Sequence, residues 1–445
     1  MTRKNILLVS FDDAVAPWRY KTAFGAPLQI PNLDGLCEVS SNFHAACSQA
    51  PVCGPSRASM MTTLMPHETQ IFDNARYVFR QVPARRCFVH DLNGAGYFCS
   101  SGGKVHHDPV LRPRHHRALY SDESKEFTLD VKLTREMKKR VKFYGGYRHG
   151  RGTEDFTDDD FFFDAQSASS AISFLENYEG EAPFYRELGF FSPHSPHNTP
   201  ARFKEMYDHT ALHKPPEWSG YIADAPYVVE NIPELVEFRD EEYWQKSIRN
   251  YFSAYSHADY QLGRVLTALR NSRHADNTVI LVVADHGFHL GNRNIFRKTT
   301  LWEQSLNVPI IICDPTDGVR RDIHDPVALI DLGPTVLDLA GVAPQERRFG
   351  QSLMRLLRGE RVPDEIIPSF YKDNVSIRKG RYRLIRYRDG GHQLFDVEED
   401  YWAQHDLGTS HPIFAPMKEA MEDWLAAAGY HFESATAPAE APEDA

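Results

Sequence analysis

Short apolar runs alternate along the chain with amphipathic stretches, and this alternation predicts the architecture. Four apolar runs have the length of strands that are buried on both faces. They lie at 4–11, 182–191, 278–284 and 308–313. Apolar positions at helical spacing over 164–178 and 248–270 predict helices that pack on these strands. Buried strands separated by helices predict an α/β fold with a large, mostly parallel sheet.

The C-terminal region has a different pattern. Residues 382–387 and 392–396 flank the turn Asp389-Gly390-Gly391, which predicts an antiparallel hairpin, and a helical pattern follows over 414–427. Pro363 and Pro368 mark a border before this region. We expect a large domain over 1–362, a small α+β subdomain over 363–432 and a flexible tail, rich in Ala, Pro and Glu, over 433–445.

Composition and charge argue against several classes of protein. The 445 residues carry a formal net charge of −11, which argues against a nucleic-acid partner. No apolar run is long enough to cross a bilayer, and the apolar run 5–10 is too short for a secretory signal, so we expect a cytoplasmic protein with no membrane partner. The six cysteines show no Cys-x-x-Cys spacing, which fits a reducing compartment.

Acidic residues follow two of the predicted strands. Asp12 and Asp13 come directly after the first, and Asp285-His286-Gly287 follows the strand 278–284. Carboxyl ends of parallel strands meet at one edge of a sheet, so these side chains are expected to converge. The adjacent carboxylates are then ligands for a divalent cation or, alternatively, turn and capping groups. A shell of carboxylates with one imidazole favours Ca²⁺ or Mg²⁺ and leaves Mn²⁺ and Zn²⁺ open.

The stretch from Pro51 to Arg57 places a lone thiol, Cys53, in a tight turn before a helical run. Helix starts favour anions, whereas an isolated buried cysteine is usually structural. The Gly-rich loop 102–108, which carries a lysine and two histidines, is a candidate anion clamp, and Pro193 and Pro196 flank His194.

These motifs, in this order, resemble the sulfatase family, the formylglycine-dependent type I sulfatases of the alkaline phosphatase superfamily. The matching elements are Asp12-Asp13, Cys53-x-Pro55-Ser56-Arg57, Gly103-Lys104-x-His106, Pro193-His194-x-Pro196, Asp285-His286-Gly287 and Lys298. The iduronate-2-sulfatase-like and choline-sulfatase-like branches are the most similar. The resemblance implies an alkaline-phosphatase-like α/β/α sandwich. After the cysteine motif the family usually has Leu-Thr-Gly, whereas this chain has Met61-Thr62-Thr63.

The resemblance also implies the roles of individual residues. A formylglycine-generating or sulfatase-maturating enzyme would oxidise Cys53 to formylglycine (3-oxoalanine). The implied ligands of one divalent metal ion, with Ca²⁺ favoured, are Asp12, Asp13, Cys53, Asp285 and His286. The implied catalytic residues are Cys53, Arg57, Lys104, His106, His194 and Lys298, and the implied substrate-binding residues are Asn74, Lys104, His107 and Lys298. Branches differ in whether the position of His106 or of His107 faces the site, and we expect His106.

The activity that follows is hydrolysis of sulfate monoesters to an alcohol and sulfate by a metal-bound formylglycine hydrate, through a covalent sulfated intermediate. The alternative is a phosphonate monoester or phosphodiester hydrolase that uses the same site. A third interpretation is an anion-binding protein with an unmodified Cys53. A small-molecule sulfate ester is the expected partner, and a homo-oligomer is expected because such assemblies are common in the family.

Overall fold

A computed structural model describes residues 3–127, 139–153, 159, 161–218, 240–346, 349–361 and 365–432. Its strands are β1 (Asn5–Asp12), β2 (Ser41–Phe43), β3 (Ala46–Cys47), β4 (Phe98–Ser100), β5 (Val141–Phe143), β6 (Arg151–Thr153), β7 (Phe184–Pro193), β8 (Thr199–Pro200), β9 (Thr278–Ala284), β10 (Ile310–Cys313), β11 (Arg321–Ile323), β12 (Val327–Ala328), β13 (Ile366–Tyr371), β14 (Asn374–Lys379), β15 (Tyr382–Arg386) and β16 (His392–Asp396).

The α-helices of these residues are α1 (Pro17–Tyr20), α2 (Pro31–Cys37), α3 (Cys53–Thr62), α4 (Pro66–Thr69), α5 (Val78–Gln81), α6 (Phe88–Gly94), α7 (Pro113–Leu119), α8 (Phe163–Asn177), α9 (Ala201–Glu205), α10 (Glu241–Asn271), α11 (Glu303–Leu306), α12 (Leu332–Ala340), α13 (Met354–Leu357) and α14 (Phe414–Ala427). Short 3₁₀ turns lie at Ala84–Arg86, Tyr147–His149, His209–Ala211, Ala275–Asn277, Asn292–Asn294 and Leu329–Asp331. None of the described helices is long and apolar enough to span a membrane.

The main sheet has seven strands in the order β11-β2-β10-β9-β1-β7-β4. Strands β9, β1, β7 and β4 are mutually parallel, and β10 runs antiparallel to both of its neighbours. The register places Phe11 beside Ala284 and Asp12 beside Pro193. Three strands therefore end at one edge of the sheet, and the α/β fold with a mostly parallel sheet is confirmed.

Burial explains the central strands and the helices around them. Every residue of β1 and β9 is buried, as their continuous apolar sequences require. Helices α8 and α10 pack on each other and on β7, while α12 packs on α3, α6 and β1. Helix α10 starts earlier than predicted, because the Asp240 side chain accepts a hydrogen bond from the Tyr243 N–H and caps the helix there.

The C-terminal hairpin is confirmed as β15 and β16, but it is half of a four-stranded antiparallel sheet in the order β13-β14-β15-β16. Strands β13 and β14 were not predicted from the sequence. Pro368 was evidence for a border, yet it lies within β13, and proline is tolerated there because β13 is an edge strand. The proposed border at 362/363 and the tail 433–445 lie outside the described residues, so the domain limits stay a prediction.

Candidate active site

The ends of β1 and β9 deliver the predicted acidic residues to one buried place. Asp12, Asp13, Asp285 and His286 are all at most 2% exposed. The His286 Nε2 atom lies 3.3 Å from Asp13 Oδ1 and 3.6 Å from Asp285 Oδ2. The two strand ends therefore converge, as the parallel arrangement of the strands predicted.

An unusual backbone conformation turns Asp13 toward this cluster. Its φ is +62°, in the left-handed region that aspartate enters more readily than most residues. The Tyr251 hydroxyl donates to the Asp13 carbonyl at 2.6 Å and accepts from the Val15 N–H at 2.9 Å, while the Asp13 N–H donates to Asp285 Oδ1 at 3.1 Å. The Asp12 and Asp13 carboxylates thus both come within 4.0 Å of the Cys53 sulfur.

The thiol of Cys53 stands at the first position of α3, facing these carboxylates. Its Sγ lies 2.9 Å from Lys298 Nζ and 3.3 Å from His286 Nε2. The next residue, Gly54, donates its N–H to Asn74 Oδ1 at 2.8 Å, and a Cβ on Gly54 would lie only 2.8 Å from the Asp73 carbonyl oxygen. The 73–74 turn therefore fixes the start of the helix through close backbone contact.

The departure from Leu-Thr-Gly lies at the other end of α3. Thr63 takes φ +55° as the C-cap, and its N–H donates to the Ser59 carbonyl. A left-handed conformation costs a residue with a Cβ about 1–2 kcal/mol, which explains why glycine suits this position. The departure thus concerns how the helix ends, at the opposite end from Cys53.

Arg57 is buried, and its guanidinium joins the strand ends to the 102–107 loop. Its Nε donates to Asp285 Oδ2 at 2.9 Å, and its Nη2 lies 3.4 Å from Asp12 Oδ1. The Nη1 group donates to the carbonyls of Lys104 and Val105 at 2.6 and 3.0 Å. Burial opposes its charge, but Asp285 and Asp12 outweigh burial and raise the pKa of Arg57.

Two lysines and one further histidine complete the cluster. Lys104 forms an ion pair with Asp12, and Lys298 Nζ lies 2.6 Å from Asp13 Oδ1. The His194 Nε2 atom lies 3.8 Å from Asp13 Oδ2, while its Nδ1 lies 2.5 Å from the Ser195 carbonyl oxygen. A carbonyl can only accept, so Nδ1 carries the hydrogen and Nε2 faces the site.

The two adjacent histidines of the loop separate. The side chain of His107 is among the groups that lower the pKa of Cys53. His106 instead lies 2.9 Å from the Tyr120 hydroxyl, and burial with Arg57 and His116 nearby lowers its pKa to about 3. The structure therefore differs from the expectation that His106 faces the site: Tyr120 holds the ring of His106, and His107 is the histidine of this loop that influences Cys53.

The charge around Cys53 favours an anion at this position. Burial by itself raises the pKa of the thiol, but Lys298, Lys104 and His286 outweigh it, and the pKa lies well below its ordinary value. The sulfur stands where an oxygen of formylglycine would stand. An anionic oxygen in the same place would receive the same stabilisation.

The donor set fits a divalent cation. Two groups of residues could each hold a metal ion, because within each group the ligand atoms all lie within 4.8 Å of one another. The first is Asp12, Cys53, Asp285 and His286, and the second is Asp12, Asp13, Cys53 and His194. Burial raises the pKa of Asp285 to about 7 against the effect of Arg57, and Asp285 in turn raises the pKa of His286 to about 9 despite its burial. Because ligands bind metal in deprotonated form, a cation would displace the proton that His286 holds.

Sequence reasoning missed residues that hold the site from behind. Tyr251 was recognised only as part of the apolar face of α10, and Ser56, which donates to the Asp285 carbonyl, lay unremarked within the cysteine motif. The Asp164 carboxylate accepts from the N–H groups of Phe191 and Ser192 at 2.6 and 3.1 Å and so fixes the end of β7 before His194. A buried polar side chain on an otherwise apolar helix face was the available signal.

A model of the sulfatase family matches residues 4–342. The chain belongs to the sulfatase family. A second model, described as the C-terminal part of N-sulphoglucosamine sulphohydrolase, matches residues 291–428. The resemblance stated above is thereby confirmed.

Relatives support the same assignment. A sulfatase of Formosa agariphila is 30% identical over 438 residues, covering 89% of this chain and 82% of that protein. A choline-sulfatase of Rhizobium meliloti is 28% identical over 400 residues, covering 84% and 76%. This sulfatase is therefore an enzyme that hydrolyses sulfate esters, as predicted.

Solved structures share the fold. A phosphonate monoester hydrolase of Agrobacterium radiobacter has a TM-score of 0.76 at 19% identity and covers 96% of each chain. A putative sulfatase from Bacteroides thetaiotaomicron has a TM-score of 0.71 at 22% identity, covering 96% of this sulfatase and 93% of that chain. At these identities the comparison concerns architecture alone.

Proposed function

We propose that this sulfatase hydrolyses sulfate monoesters with formylglycine, formed from Cys53, as its nucleophile and with one bound divalent cation. The observation that carries the proposal is the position of the Cys53 sulfur, within 4.0 Å of two carboxylates and 2.9 Å from Lys298. The hydrated aldehyde supplies an oxygen nucleophile, and the cation supplies a Lewis acid for the sulfuryl group.

The chain's own residues would neutralise and orient the sulfate. A sulfate ester is an anion that repels nucleophiles, and Lys104 and Lys298 bring two positive charges to the position where its oxygens would lie. Arg57 holds Asp12 and Asp285 in place through the contacts described above. Asn74 is proposed to contact the substrate, since it adjoins the start of α3 through Gly54.

His194 is the proposed proton donor to the leaving alcohol. Its Nε2 faces the cluster while Nδ1 donates to the Ser195 carbonyl, so a proton on Nε2 would be presented in a fixed direction. The side chain is 24% exposed, more than that of Lys298, and this supports the role because the alcohol has to leave toward solvent. His107 is the proposed second histidine at residue 53.

Asp12, Asp13, Asp285, His286 and residue 53 are the proposed metal ligands, with Ca²⁺ favoured. Carboxylate oxygens dominate this set, and hard cations prefer oxygen. Dialysis against a chelator is expected to abolish turnover, and Ca²⁺ is expected to restore it. Restoration by Zn²⁺ or Mn²⁺ but not by Ca²⁺ would contradict this choice of metal.

A phosphonate monoesterase activity is the second candidate, because the solved phosphonate monoester hydrolase shares the fold over 96% of each chain. Initial rates on an aryl sulfate and on phenyl phosphonate, measured on the same preparation, separate the two. Faster sulfate hydrolysis is expected. Much faster phosphonate hydrolysis would reverse the assignment.

The setting of the enzyme is also proposed. A formylglycine-generating or sulfatase-maturating enzyme is the partner that conversion of Cys53 needs. All six cysteines are free thiols, which supports the proposal of a reducing, cytoplasmic compartment. A homo-oligomer stays a prediction, to be tested by light scattering of the purified protein.

A further inference from the structure

Strand β7 carries two charged residues where an apolar strand is expected. Arg186 and Glu187 are both fully buried, yet they do not pair through their side chains. The Arg186 guanidinium donates to the hydroxyls of Ser100 and Ser170 at 2.8 and 2.9 Å. A buried carboxylate is costly unless it is hydrogen-bonded, so the partners of Glu187 point to its use.

Two tyrosine hydroxyls donate to the Glu187 carboxylate. Tyr185 reaches Oε1 at 3.0 Å and Tyr120 reaches Oε2 at 2.7 Å. The Tyr120 oxygen also lies 2.9 Å from His106 Nε2. Because the Tyr120 hydrogen is directed to the carboxylate, its oxygen accepts from the His106 N–H, which assigns the tautomer of a neutral ring. Hydrogen bonds thus run from His106 through Tyr120 to Glu187.

This chain of hydrogen bonds ends on the loop that carries the site residues. The first part of the loop lies directly on β7: Gly102 N–H donates to the Glu187 carbonyl and Lys104 N–H donates to the Gly189 carbonyl, both at 3.2 Å. A Cβ on Gly103 would lie 1.9 Å from the Gly189 oxygen, so the approach requires glycine. Backbone pairing with β7 therefore fixes the loop as far as Lys104.

Beyond Lys104 the loop leaves the sheet, and side chains hold it instead. The Val105 carbonyl accepts from Arg57, and His106 turns away to Tyr120. The next residue, His107, is among the groups that lower the pKa of Cys53. Val105 and His106 separate Lys104 from His107, so the hydrogen bond from His106 to Tyr120 is the side-chain contact that lies directly before His107.

We propose that Glu187, Tyr120 and His106 form a positioning device that holds the part of the loop beyond Lys104, and with it His107, at residue 53 and is required for full turnover. Tyr120 and Glu187 act through the loop and do not touch substrate. The inference rests on the proposed function of the site, and it assigns a role to the buried charge on β7 that the sulfate chemistry does not use directly.

The test compares two tyrosines that share one carboxylate. Tyr120→Phe removes the hydroxyl that links Glu187 to His106 of the loop. Tyr185→Phe removes the other hydroxyl that donates to Glu187, which has no contact with His106. With both variants converted at residue 53, kcat on an aryl sulfate is expected to fall on the order of 10- to 100-fold in Tyr120→Phe, with KM little changed. In Tyr185→Phe, kcat is expected to stay within about twofold of wild type.

Thermal unfolding separates positioning from stability, because each variant removes one donor from the same buried carboxylate. Similar melting temperatures with kcat lowered only in Tyr120→Phe support the proposal. Equal kcat values in the two variants, whether both low or both normal, would overturn it.

A second pair keeps the test decisive if Tyr120→Phe fails to fold. Glutamine can donate from the position of Nε2 and leucine cannot, so His106→Gln is expected to retain most of the kcat that His106→Leu loses. If both variants retain kcat, or both lose it, the hydrogen bond from His106 to Tyr120 does not have the proposed role. Turnover per aldehyde-bearing wild-type molecule is measured in parallel, since its absence would count against the proposed function and not against the positioning device.

Discussion

Two buried thiols in this sulfatase have pKa values shifted in opposite directions, although each sulfur lies close to a cationic side chain. Cys53 and Cys47 are both fully buried, and each lies near a cation: Lys298 Nζ at 2.9 Å from Cys53, and Arg383 Nη2 at 3.2 Å from Cys47. The pKa of Cys53 lies well below its ordinary value, whereas burial and the carboxylate of Glu303 raise that of Cys47.

The difference lies in the balance of charge around each sulfur. At Cys47, burial and Glu303 outweigh Arg383 and Arg378, whereas at Cys53, Lys298, Lys104 and His286 outweigh burial. At Cys47, Glu303 binds Arg378 through Oε1 and Arg383 through Oε2, the latter at 2.7 Å. Burial raises the pKa of Glu303, but the two arginines outweigh burial and lower it. This cluster joins α11 to β14 and β15, and its groups satisfy one another, so it fits a structural role.

At Cys53 several cations converge on one sulfur. Lys298 and Lys104 pair with Asp13 and Asp12, yet both lysines still lower the pKa of Cys53. The cations around Cys53 therefore favour an anion at this position, whereas at Cys47 burial and Glu303 prevail over the arginines. Substitutions can test this contrast between the active site and the Glu303 cluster.

The largest effect is expected from the two thiols themselves. Cys53→Ala removes the precursor of the nucleophile, and kcat should fall on the order of 10⁵- to 10⁶-fold. Cys47→Ala is the matched control and should keep the wild-type kcat per folded molecule. Steady-state kinetics on an aryl sulfate measure kcat for both variants. A comparable loss of kcat in Cys47→Ala would contradict the difference between the two thiols.

Removing one lysine should have the next largest effect. Lys298→Met takes away the cation closest to residue 53, and kcat should fall about 10²- to 10³-fold, as for other groups that stabilise charge in a transition state. Lys418→Met, at an exposed pair with Glu422, is the control and should be unaltered. A loss confined to KM would mean that Lys298 acts only in substrate binding.

Breaking the Glu303 cluster should affect stability and not chemistry. Glu303→Gln leaves Arg378 and Arg383 without their buried carboxylate, and the free energy of unfolding should fall by about 3 kcal/mol. Turnover per folded molecule should be unchanged. Urea unfolding monitored by circular dichroism measures the free energy of unfolding. Glu242→Gln, which removes an exposed ion pair with Lys246 on a helix, is the control. A stable variant with reduced kcat would contradict the structural role.

The smallest effect is on the pH dependence of stability. Because the folded-state pKa of Glu303 lies below its ordinary 4.5, its contribution is complete above pH 4.5 and is lost as pH falls through the folded-state value. The difference in unfolding free energy between wild type and Glu303→Gln should therefore shrink below pH 4.5, by roughly 1 kcal/mol per pH unit. A difference that is constant across this range would contradict the lowered pKa.

What the sequence could predict follows from periodicity and strand order. The apolar runs marked β1 and β9, and parallel strands deliver their carboxyl ends to one edge, so the convergence of Asp12 with Asp285 was predictable. Lys298 was assigned only through the family resemblance. Its contact with Asp13 depends on loops whose course no pattern indicates.

The remaining features depend on single long-range contacts. Tyr120 meets Glu187 across 67 positions of the chain, and Glu303 meets Arg383 across 80. Nothing near either residue repeats at a period that would reveal its partner. The choice between His106 and His107 likewise depended on Tyr120, whose hydroxyl draws His106 away from the site.

The most direct test of the account is mass spectrometry of the peptide that contains Cys53, from protein produced together with the maturation enzyme. The account predicts the aldehyde form at Cys53 and an unmodified thiol in the Cys47 peptide of the same digest. An unmodified thiol at Cys53 in a preparation that hydrolyses aryl sulfate would contradict the central claim that formylglycine at this position is the nucleophile.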